Sequence, residues 1–210
     1  MSFPNQLTIL RILLTPLFVA CLFVDEYNYR FAALVIFFIA VLTDWYDGYI
    51  ARKFGAVTNW GKFLDPLADK ILVLSAFFSL FVLGYVQLWM VVVIALRDLF
   101  ITGLRIYVIK KNSKKPLRTS SWAKWKTASQ MVGIYLILIY LVLKQKTLTI
   151  AASSSWFAKL EALNFIDKLM YFVTIVTATT GIHYLIDNRQ HVKALAHTIS
   201  RFLIPNIFIS

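Results

Sequence analysis

Residues 43–70 read TDWYDGYIARKFGAVTNWGKFLDPLADK. Asp44, Asp47, Asp65 and Asp69 put four carboxylates into 26 residues of a chain that holds only ten acidic residues in all. Apolar runs flank the segment on both sides. A carboxylate at membrane depth costs ~2.5–3.5 kcal/mol on insertion scales and is rarely present without a task. Clustered hard oxygen ligands suit divalent cations such as Mg²⁺ or Mn²⁺.

The spacing gives the cluster a shape. Asp44 and Asp47 are three residues apart and Asp65 and Asp69 four apart, so each pair shares one face of a helix. Gly55 and the run Thr58-Asn59-Trp60-Gly61 interrupt the apolar pattern and read as a turn. Two helix ends joined by a loop then each present a carboxylate pair. Facing one another, the pairs form a cage suited to two divalent cations about 3.5–4 Å apart, which clamps attacking and leaving oxygens in phosphoryl-type displacements. Gly48 and Gly61 leave room for a bulky ligand beside the backbone. Arg52, one turn beyond Gly48, offers a planar fork to a phosphate. The competing reading is that the acids form salt bridges with Arg52, Lys53, Lys62 and Lys70. Four intramembrane acids at paired helical spacing, with two glycines interleaved, favour the cage. Pro66 suits the first turn of a helix.

The rest of the chain sets the surroundings. Of 210 residues, 60% are hydrophobic and 15% charged, against about 25% charged in soluble domains. With a mean hydropathy of +0.71, the expectation is one integral membrane domain, residues 1–210, all α-helical. Six apolar stretches are long enough to span a bilayer, near residues 7–24, 31–51, 66–86, 88–109, 127–147 and 167–187. Asp25–Arg30 and Gly84–Gln87 read as tight turns between neighbouring spans. Trp156 and Phe157 read as headgroup anchors between the fifth and sixth. The tail, 188–210, alternates basic and apolar residues and reads as lying on the membrane surface. Cys21 is the only cysteine, so neither a disulfide framework nor a cysteine-based metal site can form within one chain. The N-terminus has no basic region or small-residue cleavage site and reads as a retained first segment.

The net charge of +12 reads as topology and attraction to anionic headgroups, with no nucleic-acid partner. The loops between the second and third and the fourth and fifth spans, together with the tail, hold 14 of the Lys and Arg residues. The opposite side holds five: Arg30, Lys144, Lys146, Lys159 and Lys168. Positive-inside reasoning then puts both termini and the carboxylate segment on the cytoplasmic side. A bacterial inner membrane is the expected location.

The segment also resembles the CDP-alcohol phosphotransferase family, whose signature is D-x-x-D-G-x-x-A-R-x8-G-x-x-x-D-x-x-x-D. Asp44, Asp47, Gly48, Ala51, Arg52, Gly61, Asp65 and Asp69 match it at every fixed position. The family's six-helix membrane fold agrees with the six spans. The resemblance implies that Asp44, Asp47, Gly48, Ala51, Arg52, Gly61 and Asp65 hold the CDP moiety. It implies that Asp44, Asp47, Asp65 and Asp69 bind two metals and that Asp69 is the general base. Asp69 would take the proton of an acceptor hydroxyl that attacks the β-phosphorus and expels CMP. It further suggests a homodimer.

Within that family the opening PNQLTILRILLTP, with Asn5, Thr8, Arg11 and Pro16, is similar to that of the bacterial phosphatidylglycerophosphate synthases. RDLFITGLR, residues 97–105, is similar to their R-E/D-x6-R element. AKWKTASQM is similar to their G-K-x-K-T-x-x-Q, with Ala123 where glycine is usual. The acceptor this implies is glycerol 3-phosphate, with CDP-diacylglycerol as donor. A dianionic acceptor needs cations, and Arg105, Arg118, Lys124 and Lys126 are the candidates. Arg97 follows an uninterrupted apolar run and needs a partner or a ligand, and Asp98 could be a local partner for a nearby cation. The nearest rival acceptor is phosphatidylglycerol, as in eukaryote-type cardiolipin synthases. A rival of another class is a divalent-cation channel or transporter, which would not require Gly48, Ala51, Arg52 and Gly61 at these spacings.

Overall fold

The computed structural model describes residues 3–54, 61–110, 122–150, 159 and 161–203. Among these the chain forms seven helices and no strand: α1 (Phe3–Phe23), α2 (Tyr27–Phe54), α3 (Gly61–Val82), α4 (Leu88–Lys110), α5 (Trp122–Ile150), α6 (Phe165–Asp187) and α7 (Arg189–Leu203). An apolar chain in lipid has to satisfy its backbone within each segment, which leaves the helix as the local solution. Four helices contain stretches long and apolar enough to cross a membrane: Gln6–Phe23, Tyr27–Asp44, Ala128–Thr147 and Phe165–Asp187. The helices expected at 66–86 and 88–109 are present as α3 and α4, and these two carry Asp69, Lys70, Arg97, Asp98 and Arg105.

α1 packs against α2 and α3, α5 against α2 and α6, and α4 against α3 and α6. One core joins the first six helices, with Phe18, Phe37, Phe77, Met90, Ile134 and Met170 fully buried. The rings of Phe18 and Phe37 lie 5.4 Å apart, and Phe37 continues to Tyr135 at 6.1 Å, linking α1, α2 and α5. The exterior is apolar as well: Leu13, Leu17, Phe78, Leu96, Phe172 and Ile175 are exposed. An exterior this apolar is that of a membrane protein.

Several boundaries move from their expected places. α3 starts at Gly61, so Pro66 is its sixth residue and lies beyond the first turn expected for it. The helix continues through Pro66 at the loss of one intrahelical hydrogen bond. α2 extends past residue 51 to Phe54, which puts Asp44 and Asp47 inside a helix and not at its last turn. The turn at 84–87 forms as expected. Gly84 N–H donates to Phe81 O and Tyr85 N–H to Leu80 O, both at 2.9 Å, with Gly84 at φ 78°. These two bonds close the end of α3 through a left-handed residue. At the same end of the bundle, Gln145 Nε2 donates to Asp25 O at 2.8 Å, tying α5 to the turn between α1 and α2.

The tail departs from a purely surface-lying segment. Residues Arg189–Leu203 form α7, which docks on α4. Val192 and Leu195 pack against Ile101, Leu104 and Tyr184. The Tyr107 hydroxyl donates to Ala194 O at 3.3 Å and lies 2.8 Å from Thr198 Oγ1. Trp156, Phe157 and the loop containing Gly55 and Thr58–Trp60 lie outside the described residues.

Candidate active site

α2 and α3 carry the two halves of the carboxylate motif. Asp44 lies 17 residues into α2, which starts at Tyr27, and its carboxylate is held from α1. Arg11 Nη1 lies 2.8 Å from Asp44 Oδ1, and Arg11 Nε donates to Ala40 O at 3.3 Å. Arg11 is completely buried, whereas the Asp44 side chain is 41% exposed. The cation is thus fixed from inside the bundle and the carboxylate keeps a face open to a ligand. The backbone around Arg11 is secured in turn, since Thr15 Oγ1 donates to Arg11 O at 2.9 Å.

Asp69 lies on α3, eight residues after its start at Gly61. Lys70 Nζ donates to Asp69 Oδ2 at 3.1 Å and lies 3.5 Å from Asp98 Oδ2 on α4. Arg97 Nη1 donates to Asp98 Oδ1 at 3.0 Å. Asp98 is fully buried, and the Asp69, Lys70 and Arg97 side chains are largely so. Two cations and two carboxylates therefore neutralise one another across α3 and α4, as low-dielectric surroundings require. Asp98 is thus the partner that Arg97 needs, and it serves Lys70 as well.

Salt bridging and ligand binding are therefore not exclusive alternatives at Asp69. The pair with Lys70 forms, while Asp44 pairs with Arg11, which the sequence reading did not link to it. Asp47 and Asp65 occupy α2 and α3 as helical residues, but their side chains, and those of Gly48, Ala51, Arg52 and Gly61, lie outside the described residues. Among the described residues no group of three potential metal ligands gathers. The two described carboxylates do fit a hard divalent cation: each is an oxygen donor held next to a cation, in the ionised form that a metal requires.

Of the acceptor-site candidates, Arg105 is described and lies exposed near the end of α4. The buried Tyr184 hydroxyl on α6 lies near its guanidinium without an aligned hydrogen bond. Tyr184 was not identified from the sequence; an aromatic residue in an apolar run gives no signal of its own. Arg118 lies outside the described residues, and so do the side chains of Lys124 and Lys126 in the first turns of α5. Gln130, from the same sequence element, is buried and donates to Thr177 Oγ1 on α6 at 3.4 Å. His183 is exposed and pairs with Asp187 at 3.1 Å.

The chain belongs to the CDP-alcohol phosphatidyltransferase family, whose sequence pattern matches residues 1–162. The CDP-diacylglycerol–glycerol-3-phosphate 3-phosphatidyltransferase of Bacillus subtilis (strain 168) is 31% identical over 204 residues, covering 91% of this chain and 97% of that protein. The Haemophilus influenzae protein of the same name is 37% identical over 136 residues, covering 63% of this chain and 73% of its own. The Pseudomonas fluorescens one is 39% identical over 143 residues, covering 66% and 72%.

Proposed function

We propose that the chain is a CDP-diacylglycerol–glycerol-3-phosphate 3-phosphatidyltransferase. It transfers the phosphatidyl group from CDP-diacylglycerol to the 1-hydroxyl of sn-glycerol 3-phosphate, giving phosphatidylglycerophosphate and CMP in phospholipid synthesis. The observation that carries the reading is the complete eight-position motif on α2 and α3, with Asp44 and Asp69 kept ionised by Arg11 and Lys70. The names of the relatives support the acceptor.

In this reading Asp44, Asp47, Gly48, Ala51, Arg52, Gly61 and Asp65 hold the CDP moiety. Two divalent cations, Mg²⁺ or Mn²⁺, held by Asp44, Asp47, Asp65 and Asp69, would offset the charge of the diphosphate and of the departing CMP. Asp69 accepts the proton of the acceptor hydroxyl as its oxygen bonds to the β-phosphorus and the bond to CMP breaks. An Asp so close to positive charge is a weak base, so orientation carries much of the rate. Arg105, Arg118, Lys124 and Lys126 hold the acceptor phosphate. α1 to α6 span a bacterial inner membrane as one domain, residues 1–210, with both termini and the site on the cytoplasmic side. The lipid enters from the bilayer and the acceptor from the cytoplasm. The working unit is a homodimer.

The test is an incubation of the purified protein with CDP-diacylglycerol, Mg²⁺ and each candidate acceptor, followed by identification of the lipid product and of CMP. Phosphatidylglycerophosphate is expected with glycerol 3-phosphate. Product with phosphatidylglycerol alone would transfer the assignment to cardiolipin synthesis. No CMP with any acceptor would refute the transferase reading and leave ion conduction to be measured.

A further inference from the structure

We propose that Asp98 is a positioning residue for Asp69, acting through Lys70. The inference rests on the transferase reading for its catalytic consequence, and on geometry alone for the contact. Asp69 and Lys70 are consecutive on α3, so their side chains leave the helix about 100° apart. Neighbours at that spacing do not face each other. A lysine that curls back onto the preceding aspartate therefore needs a second anchor. Asp98 supplies it from α4: its Oδ2 lies 3.5 Å from Lys70 Nζ, while Asp69 Oδ2 accepts from the same nitrogen at 3.1 Å. The ammonium is thus held between two carboxylates, one fully buried and one at the edge of the site.

Asp98 is itself fixed from the far side. Its Oδ1 accepts from Arg97 Nη1 at 3.0 Å. Arg97 lies across Gly181 of α6, where a Cβ would stand 2.8 Å from Arg97 Cγ and 3.3 Å from Nε. Only a residue without a side chain admits the arginine in this pose. Gly181, Arg97, Asp98, Lys70 and Asp69 therefore form a continuous support from α6 through α4 to α3. Each member limits the freedom of the next. The last of them is the carboxylate that must meet the acceptor hydroxyl, and a misplacement of about 1 Å caused by a distant change can cost on the order of a hundredfold in rate.

The experiment compares wild type with Asp98→Asn, Lys70→Met and the double variant in reconstituted vesicles. Asp98→Asn is expected to lower kcat about tenfold or more while leaving both KM values within about twofold, because the effect falls on transition-state geometry. The double variant is expected to be no slower than Lys70→Met alone, since Asp98 acts only through the lysine. Trace acetylation of Lys70, read by mass spectrometry, is expected to be slow in wild type and several-fold faster in Asp98→Asn. Gly181→Ala, which displaces Arg97, is expected to shift both readouts in the same direction, and it stands in if Asp98→Asn does not fold. Multiplicative losses in the double variant, or an unchanged Lys70 labelling rate, would overturn the proposal. The labelling needs no turnover. If wild type releases no CMP with any acceptor, the transferase reading falls while labelling still decides the contact.

Discussion

Arg11 Nη1 on α1 lies 2.8 Å from Asp44 Oδ1 on α2, with the arginine wholly buried and the aspartate open on one side. The pair aims the first carboxylate of the motif from behind. Arg11→Met keeps most of the buried volume and removes the charge and the fork. Turnover is expected to fall at least about tenfold, the worth of one charge-assisted hydrogen bond. Steady-state kinetics on vesicles checks it. Retention of more than half the wild-type rate would make the pair purely structural.

The four aspartates are expected to divide their labour. Asp44→Asn, Asp47→Asn and Asp65→Asn each remove an anionic ligand and should abolish nearly all activity with the protein still inserted in the membrane. Added Mg²⁺ or Mn²⁺ should restore little. Asp69→Asn should abolish turnover while weakening CDP-diacylglycerol binding less, because a base acts in the transition state. Binding of labelled CDP-diacylglycerol to each variant separates the roles. A binding loss in Asp69→Asn as severe as in Asp44→Asn would make Asp69 chiefly a ligand.

Much of this site is legible in the sequence because its signal is local. Asp44 and Asp47, or Asp65 and Asp69, announce themselves by helical spacing in an apolar chain. The partners are not local. Arg11 is 33 residues from Asp44, and Asp98 is 28 from Lys70, so only helix packing joins them. One usable signal was present: Arg11, Lys70 and Arg97 are the three cations that positive-inside counting assigns to neither side. Each is paired in the structure, with Asp44, Asp69 and Asp98 respectively. A stranded intramembrane cation points to a stranded intramembrane acid. Helix starts were harder to read: α3 begins at Gly61 because a helix tolerates polar residues in its first turns, where apolar periodicity gives no cue.

Gly84 offers a test of the fold away from the chemistry. Its φ of 78° is left-handed, and a Cβ there would meet nothing within 4 Å. The cost of Gly84→Ala is therefore backbone strain alone, about 1–2 kcal/mol. The melting temperature should drop with turnover at the permissive temperature unchanged, as the turn lies at the opposite end of α3 from Asp65. A melting temperature equal to wild type would contradict the turn geometry.

Glu161 predicts an acid sensitivity. Lys144 Nζ lies 2.9 Å from Glu161 Oε1, and the Tyr140 hydroxyl donates to the same oxygen at 3.2 Å. The hydrogen bond from Lys144 and its charge, then the bond from Tyr140, hold the Glu161 carboxyl below the ordinary carboxylate range. A depressed folded-state pKa gives stability that is present above the unfolded value, about 4.3, and is lost as pH falls through the folded one. Thermal melts across that window should show a steeper acid decline for wild type than for Glu161→Gln. Parallel declines would remove Glu161 from the account.

Arg105 decides the acceptor. It sits near the end of α4 with Tyr184 beside it, exposed where a polar substrate could arrive. Lysine keeps the charge but cannot reproduce the bidentate fork on a phosphate. A lost charge-assisted hydrogen bond is worth ~1.5–3 kcal/mol, so Arg105→Lys should raise the KM for glycerol 3-phosphate roughly ten- to a hundredfold. The KM for CDP-diacylglycerol should move far less. Tyr184→Phe serves as the control, since it removes the neighbouring hydroxyl and leaves the guanidinium in place; it should change neither KM by more than about twofold. Kinetics with each substrate varied in turn reads both variants. Equal effects of Arg105→Lys on the two substrates would mean that the arginine supports the helix end and not the acceptor.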